Sequence, residues 1–162
     1  MTKIQAGRLT YQDELFYIDE LVKEIVADQN LISDTHKIIL KGASKKVFLG
    51  DKYRIGQVLI NLINNAIKYS PKADKVMVSL KDTTQGTVFR VRDYGIGIRK
   101  FDQARVFERF YRGSNEKSKI QGLGMGLYIS SEIIKRYGGR LWLKSSPSRG
   151  SSFFVLLPKK KF

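Results

Sequence analysis

An asparagine-rich helix followed by two glycine clusters constrains this chain more than any other feature of its sequence. Asparagine is a middling helix former, so three asparagines within five residues are unusual on a helix with a regular apolar stripe. Amide oxygens suit Mg²⁺, glycines let a backbone approach a flat base, and a helix start attracts phosphate. The ordered set predicts a nucleotide site with ATP as its ligand, built from Asn61–Lys68, Asp93–Gly97 and Gly122–Gly126.

One side of the asparagine helix is predicted to hold a metal ion and phosphate. Because a helix turns by about 100° per residue, Asn61, Asn65 and Lys68 lie on one stripe, roughly opposite the apolar one. An amide oxygen is a hard neutral ligand for Mg²⁺, and a lysine one turn away supplies a point charge for phosphate. Taken alone, this helix leaves a solvated polar face open as the alternative.

Asp93 and the glycines after it are predicted to bind the base. A carboxylate at the end of a strand can accept a hydrogen bond from the amino group of adenine. Gly95 and Gly97 let the backbone approach the flat ring because they have no Cβ. An ordinary Asp-x-Gly turn is the alternative interpretation of this segment.

The second glycine cluster precedes an apolar helix but lacks dinucleotide-type spacing. Gly122, Gly124 and Gly126 follow a G-x-G-x-G pattern, and no strand leads into them, which argues against a Rossmann site. The helix start after Gly124 still offers N–H groups to phosphate, and a flexible hinge is the alternative. The basic and aromatic segment between the clusters is typical of a lid over a triphosphate. Its cations are Arg99, Lys100, Arg105, Arg109, Arg112, Lys117 and Lys119, interleaved with Phe101, Phe107, Phe110 and Tyr111.

Composition excludes several classes of site. The 162 residues include no cysteine, so disulfides and thiol catalysis are excluded, and the single His36 rules out a histidine cluster for zinc. No apolar run approaches the roughly 18 residues of a membrane-spanning helix, and the lack of cysteine fits a cytoplasmic domain. A formal charge of +15 predicts attraction to polyanions, with a merely solvated basic surface as the alternative.

The order of predicted elements favours a mixed sheet with its helices on one face. Apolar periodicity predicts helices at 16–30, at 55–68 after an N-cap at Asp51, and at 123–137. Alternating residues predict strands at 37–41 and 46–49 around a turn, at 76–80, at 87–91, and in a hairpin of 140–145 with 151–157. We therefore predict an α/β fold of the α+β type, a two-layer sandwich whose sheet is covered on one face by about three helices.

Four segments in this order resemble the conserved boxes of sensor histidine kinases. Asn61-x-x-x-Asn65-x-x-Lys68 resembles the N box and Asp93-x-Gly95-x-Gly97 the first glycine box. Phe107-Glu-Arg-Phe110-Tyr-Arg112 resembles the F box and Gly122-x-Gly124-x-Gly126-Leu127 the second glycine box. The resemblance extends from about Phe16 to Pro158. It implies the ATP-binding catalytic domain of a two-component kinase, with the Bergerat fold.

The resemblance also implies a role for each matched position. Asn65 would be the chief Mg²⁺ ligand with Asn61 assisting, Lys68 would contact phosphate, and Arg112 would contact the γ-phosphate. Asp93 would bind the adenine amino group, with Tyr69 packed near the base or ribose. The remaining positions expected to contact the nucleotide are Gly95, Gly97, Ile98, Gly122, Leu123, Gly124, Met125, Gly126 and Leu127.

Asn61 and His36 bear on the expected reaction. Hydrolytic members of the superfamily carry a glutamate at the position of Asn61, and an amide cannot act as a general base near neutral pH, so transfer is favoured over hydrolysis. His36 precedes Lys37 at a predicted strand start, which is unlike a phosphoacceptor histidine. We therefore expect residues 1–13 to be the tail of a missing dimerisation and phosphoacceptor helix and 14–162 to be the catalytic domain.

The expected partners follow from this interpretation. They are the phosphoacceptor domain of the same kinase and, downstream, a response regulator. The isolated domain is expected to be a cytoplasmic monomer, and this expectation is compatible with a membrane anchor elsewhere in the full kinase. Two alternatives stay open: a degenerate regulatory module that binds nucleotide or only proteins, and a basic nucleic-acid-binding module. The second leaves the asparagine stripe and the glycine boxes unexplained, so no specific nucleic acid is expected.

Overall fold

A five-stranded mixed sheet carries its helices on one face. The computed structural model describes residues 10–108 and 126–159. Their helices are α1 (Ile18–Ile32), α2 (Lys52–Lys68), α3 (Lys100–Gln103) and α4 (Gly126–Arg136). The strands are β1 (Glu14–Tyr17), β2 (Lys37–Gly42), β3 (Val47–Gly50), β4 (Lys75–Asp82), β5 (Gly86–Asp93), β6 (Arg140–Ser145) and β7 (Ser151–Pro158).

The strands of the large sheet run in the order β2-β4-β5-β7-β6. β2 and β4 are parallel, whereas the other three neighbouring pairs are antiparallel. In the centre, Arg92 pairs with Ser152 and Asp93 with Ser151. Because side chains alternate between the two faces of a strand, Asp93 and Arg92 point to opposite faces of the sheet.

The core lies between this sheet and the apolar stripes of the helices. α2 contributes a continuous stripe, and Val58, Leu59 and Ile63 are each at most 1% exposed. They pack with Phe89 and Val91 of β5 and with Ile133 and Ile134 of α4 in one cluster. Burying one side chain of this size contributes about 1.5–3 kcal/mol to folding. The predicted two-layer sandwich is confirmed, with α1, α2 and α4 as its helical layer.

The start of α2 is tied to the residues that enter the domain. Asp51 caps the helix, because its Oδ1 accepts from the Arg54 backbone N–H at 3.0 Å, as the sequence predicts. Its Oδ2 accepts from the Gln12 N–H at 2.8 Å, and its own N–H donates to the Tyr137 hydroxyl at 2.8 Å. That hydroxyl donates in turn to Asp13 Oδ1 at 2.6 Å. Residues 12 and 13 therefore contact the domain, and the division at residue 13 stays a prediction.

Two local predictions were wrong. The first helix begins at Ile18, because residues 14–17 form β1, which pairs antiparallel with β3. The predicted strands at 37–41 and 46–49 are confirmed as β2 and β3, of which β2 joins the large sheet beside β4 and β3 pairs with β1. A short helix, α3, also interrupts the segment expected to be loop.

Candidate nucleotide site

Asn61 and Asn65 lie half-buried on α2, beside the start of α4. The Asn61 amide donates from Nδ2 to Ser130 Oγ of α4 at 3.2 Å. Its Oδ1 faces Gly126, where an added Cβ would lie only 2.3 Å from that oxygen. A side chain at 126 would therefore displace the Asn61 amide from its present position, while Lys68 is exposed at the last turn of α2.

Asp93 is a buried carboxylate held by backbone donors at the end of β5. Its side chain accepts through Oδ1 from the Gly95 N–H at 3.0 Å and from the Ser151 N–H at 3.3 Å. Only 3% of the residue is exposed. Both of these bonds use Oδ1, so Oδ2 offers a position for a further donor. That arrangement suits a carboxylate that accepts a hydrogen bond from a base.

Burial also changes the titration of Asp93. Loss of solvation raises the pKa of its carboxyl from 3.8 to about 6, although the two backbone N–H donors and the neighbouring Arg92 lower it. A donor that completed the hydrogen bonding of Oδ2 would favour the charged form. A raised pKa is a common mark of a functional carboxylate.

The glycine turn after Asp93 packs directly beneath the end of α2. An added Cβ on Gly95 would lie 1.8 Å from the Tyr69 carbonyl oxygen, which also accepts from the Ile96 N–H at 3.1 Å. Tyr69 is the residue that ends α2, and its N–H donates to the Asn65 carbonyl at 3.0 Å. The turn therefore brings Asp93, Gly95 and Tyr69 together, and any side chain at 95 would push them apart.

The second half of this turn packs on the loop between β6 and β7. Gly97 has φ +73°, and an added Cβ would lie 2.0 Å from the Ser146 carbonyl oxygen. The Ser148 N–H donates to the Ile96 carbonyl at 2.7 Å, and the Ile98 N–H donates to Ser145 Oγ at 2.7 Å. Glycine at 97 is needed both for its left-handed backbone and for this close approach.

His36 occupies a structural position behind the end of α2. It is 5% exposed, and its Nε2 donates to the Ser70 carbonyl at 2.8 Å. Nδ1 lies 2.8 Å from Thr35 Oγ1, so both ring nitrogens have partners. This geometry agrees with the expectation that His36 is not the histidine that accepts a phosphoryl group.

The structure brings some predicted positions together and leaves others outside its description. Asn61, Asn65, Lys68 and Tyr69 share the C-terminal half of α2, and Asp93, Gly95, Gly97 and Ile98 share the turn beside it. Leu127 is half-buried at the start of α4. Outside the described residues lie Arg112, Gly122, Leu123, Gly124 and Met125.

Sequence reasoning missed the serines that hold the predicted ligands. Ser130 binds Asn61, Ser151 binds Asp93, and Ser145 binds the turn at Ile98. Ser130 has a local indication, because it is a polar residue within the apolar pattern of α4. Ser151 acts through its backbone N–H, so its contact follows from sheet pairing and no side-chain pattern reveals it.

The donor chemistry is compatible with Mg-ATP. No group of three or more His, Asp or Glu side chains suited to a metal occurs within residues 10–108 and 126–159. A divalent cation here would therefore take amide oxygens from α2 and complete its shell with phosphate and water, as Mg²⁺ does. The buried Asp93 provides a polar acceptor, and the glycine turn beside it keeps the backbone close to the end of α2.

Comparison with known proteins gives the family. The profile of the histidine kinase-, DNA gyrase B- and HSP90-like ATPases matches residues 50–161, more than half of the chain. The chain belongs to this ATPase family. A curated relative, the sensor-like histidine kinase SenX3 of Mycobacterium tuberculosis, is 35% identical over 144 residues, which cover 87% of this chain and 35% of SenX3. The sensor histidine kinase WalK of Bacillus subtilis is 39% identical over 114 residues, covering 68% and 19% of the two chains.

Solved structures support the ATPase fold. The mycobacterial sensor histidine kinase MprB superposes with a TM-score of 0.78 at 23% identity, covering 93% of this chain and 100% of that one. Full-length ShkA, solved in complex with AMPPNP, superposes with a TM-score of 0.74 over 94% of this chain and 33% of its own. This member of the ATPase family spans about a third of the length of SenX3. Among the described residues, no helix is both long and apolar enough to cross a bilayer.

Proposed function

We propose that this chain binds Mg-ATP and presents its γ-phosphate to a histidine on a separate domain, as the catalytic part of a sensor kinase. The observation that carries the proposal is the buried Asp93, which two backbone N–H groups hold at the floor of a glycine turn. A buried carboxylate with a raised pKa and a spare oxygen is costly to folding, so its retention is best explained by a ligand donor. The match to sensor kinases supports the same conclusion.

The residues of this chain would contribute positioning and charge, with little covalent chemistry of their own. Asp93 would accept the adenine amino group, and the carbonyl and ring of Tyr69 would border the base. Asn65, assisted by Asn61, would hold the metal, and Lys68 would meet phosphate. Bound Mg²⁺ would neutralise charge that develops on the phosphoryl group. Positioning of this kind supplies most of the rate enhancement in phosphoryl transfer.

The acceptor would lie on another domain. Both ring nitrogens of His36 are occupied and the ring is buried, so His36 is not suited to take a phosphoryl group. A phosphoacceptor domain of the same kinase, followed by a response regulator, are the proposed partners. Incubation of the chain with radiolabelled ATP should leave the protein unlabelled, and addition of a phosphoacceptor domain should produce label on that domain alone.

Calorimetric titration with ATP, with and without Mg²⁺, tests the site itself. We expect adenine-selective binding that strengthens with Mg²⁺. Asn65→Ala should lose the response to Mg²⁺, whereas Asn64→Ala, which alters the exposed neighbour, should keep it. Equal responses of both variants to Mg²⁺ would remove Asn65 from the metal site. An absence of ATP binding by the folded wild-type chain would overturn the proposed function.

A further inference from the structure

A second concave surface lies on the open face of the sheet, opposite the helices. This groove has a volume of about 460 Å³ and lies over β5, β6 and β7. The residues of the groove that carry the argument are Arg90, Arg92, Lys144, Arg149, Ser152 and Phe154. Four of these six are cations, and every residue that lines the groove is basic, neutral polar or apolar. The groove is thus a concentrated positive surface without a carboxylate to balance it.

Two of the cations in the groove, Arg90 and Arg92, each carry a buried Nε–H without a hydrogen-bond partner among the described residues, and the Arg92 guanidinium also packs 4.9 Å from the centroid of the Tyr94 ring. The Nε atoms of Arg90 and Arg92 are both inaccessible to solvent, and neither has a hydrogen-bond acceptor within residues 10–108 and 126–159. Leaving a buried polar group unpaired is unfavourable to folding, and more so for a charged group. The two residues alternate with buried residues on β5, so their side chains share one face about 7 Å apart along the strand. An anion in the groove would place negative charge beside both of these half-buried guanidinium groups.

The aromatic rings beside the groove are already covered. Trp142 and Phe154 stack on each other with centroids 5.2 Å apart and planes 8° from parallel. The Arg140 guanidinium lies over the Trp142 ring at 4.3 Å, and the Lys144 ammonium lies 5.7 Å from the centroid of Phe154. Because these faces are occupied, an unstacked nucleic-acid base finds no open ring here, although stacking normally carries single-strand binding. The groove therefore recognises charge.

We propose that this groove binds a phosphoryl-bearing anion. A phosphate monoester carries about −1.5 to −2 charges near neutral pH and has three strong acceptor oxygens. One such group can accept from two guanidinium forks at once, which a single carboxylate does less fully. Arg149 and Lys144 add charge at the same surface, and the Ser152 side chain lies on the face that lines it. The volume leaves room for more than one phosphoryl group.

The groove is separate from the candidate ATP site. Arg92 and Asp93 are neighbours on β5, and they pair with Ser152 and Ser151 on β7. Since consecutive residues of a strand point to opposite faces, the Arg92 and Asp93 side chains lie on opposite faces of the sheet, although Ser145 and Ser151 both line the groove and contact the turn of the ATP site. The cations that carry the groove proposal, Arg90 and Lys144, are not among the residues proposed to bind nucleotide, so either proposal can fail its test while the other stands.

Titration of the ¹⁵N-labelled chain with pyrophosphate, followed by amide chemical shifts, tests the groove. We expect the largest shifts at residues 90–92, 144–146 and 149–152, and no displacement of pyrophosphate from them when ATP is added at a concentration that fills the α2 site. Arg90→Gln and Lys144→Gln should each weaken pyrophosphate binding at least tenfold. Lys81→Gln is the matched control, because Lys81 is exposed on the same sheet face and pairs with Val88 outside the groove. It should change the affinity less than twofold.

Three results would overturn the groove assignment. Shifts confined to residues 61–69 would place pyrophosphate at the ATP site. An equal loss of affinity in Lys81→Gln and Arg90→Gln would reduce the binding to general surface charge. Tighter groove binding of tetraglutamate than of pyrophosphate would identify an acidic protein segment as the ligand. Circular dichroism of each variant establishes that it is folded before its affinity is compared.

Discussion

Replacement of Asp93 by asparagine separates the energetic cost of a buried charge from its proposed use. Asparagine has nearly the same shape, and its Oδ1 can still accept from the Gly95 and Ser151 N–H groups. The substitution removes the ionisation and places an NH₂ donor where Oδ2 now lies. Folding and nucleotide binding should therefore respond in opposite directions.

The effect on folding can be worked from the raised pKa. The folded state holds its proton until about pH 6, whereas the unfolded chain releases it near 3.8. Between these values the folded state binds more protons, so the free energy of unfolding falls as the pH rises. At about 1.36 kcal/mol per pH unit, wild type should lose about 2–3 kcal/mol between pH 4 and pH 7 relative to Asp93→Asn. The stabilising contribution is present below pH 3.8 and lost above pH 6.

The effect on nucleotide binding comes from the donor that replaces an acceptor. A hydrogen bond to a charged group is worth about 1.5–3 kcal/mol. Its loss weakens ATP binding by roughly 10- to 150-fold, and two amino groups facing each other add to that loss. Asp93→Ala should show a similar loss of affinity without the opposed donors.

Urea denaturation at pH 4 and pH 7 tests the predicted change in stability. Calorimetric titration with ATP at pH 7 tests the predicted loss of affinity. Asp28→Asn is the control, since Asp28 is exposed on α1 and its substitution should change neither quantity. The reasoning about burial would be refuted if wild type and Asp93→Asn kept the same difference in stability at both pH values. Unchanged ATP affinity in Asp93→Asn would remove this residue from the base site.

Three further substitutions test other contacts. Gly95→Ala should lower stability by about 1–3 kcal/mol and weaken ATP binding, because its Cβ would lie 1.8 Å from the Tyr69 carbonyl oxygen. A variant with the stability and the ATP affinity of the wild type would contradict that packing. Tyr137→Phe should lower the free energy of unfolding in urea by about 1–3 kcal/mol, because it leaves the Asp51 N–H without an acceptor. Tyr53→Phe is the control, since Tyr53 is exposed and its substitution should leave the stability unchanged. Equal losses of stability in the two variants would count against the Tyr137–Asp51 contact. Asn61→Glu should not reduce the basal hydrolysis of ATP, and a clear fall in turnover would argue against the assigned role.

Local patterns predicted the elements of this fold better than their pairing. The N-cap at Asp51, the apolar stripe of α2 and the β6–β7 hairpin follow from neighbouring residues, and all three are confirmed. β1 was missed because Phe16 continues the helical spacing of the residues after it. The partners of β2 and β3, which are β4 and β1, are chosen by burial across the whole domain, and short-range sequence does not record that choice.

In the candidate site, too, local sequence patterns predicted the residues but not the contacts that depend on strand pairing. Residue type and order predicted that Asn61, Asp93 and Gly95 belong to one site, and the structure brings their elements together. The serine contacts could not be predicted, since Ser151 reaches Asp93 through its main chain and only the register of β5 with β7 provides it. The open groove was invisible because Arg90 and Lys144 are far apart in sequence and become neighbours through β7.

The turn beneath the end of α2 has a consequence for the thermodynamics of binding. The Tyr69 carbonyl accepts from Ile96, and the next residue, Ser70, is held by His36 at the start of β2. Ordering the backbone of one residue costs about 1–2 kcal/mol of conformational entropy, and these residues are already ordered in the folded chain before a ligand binds. In the proposed nucleotide site, this turn would therefore act as a template that is already ordered before the base binds. Adenosine, which lacks phosphates, should bind weakly but with little entropic penalty from this turn.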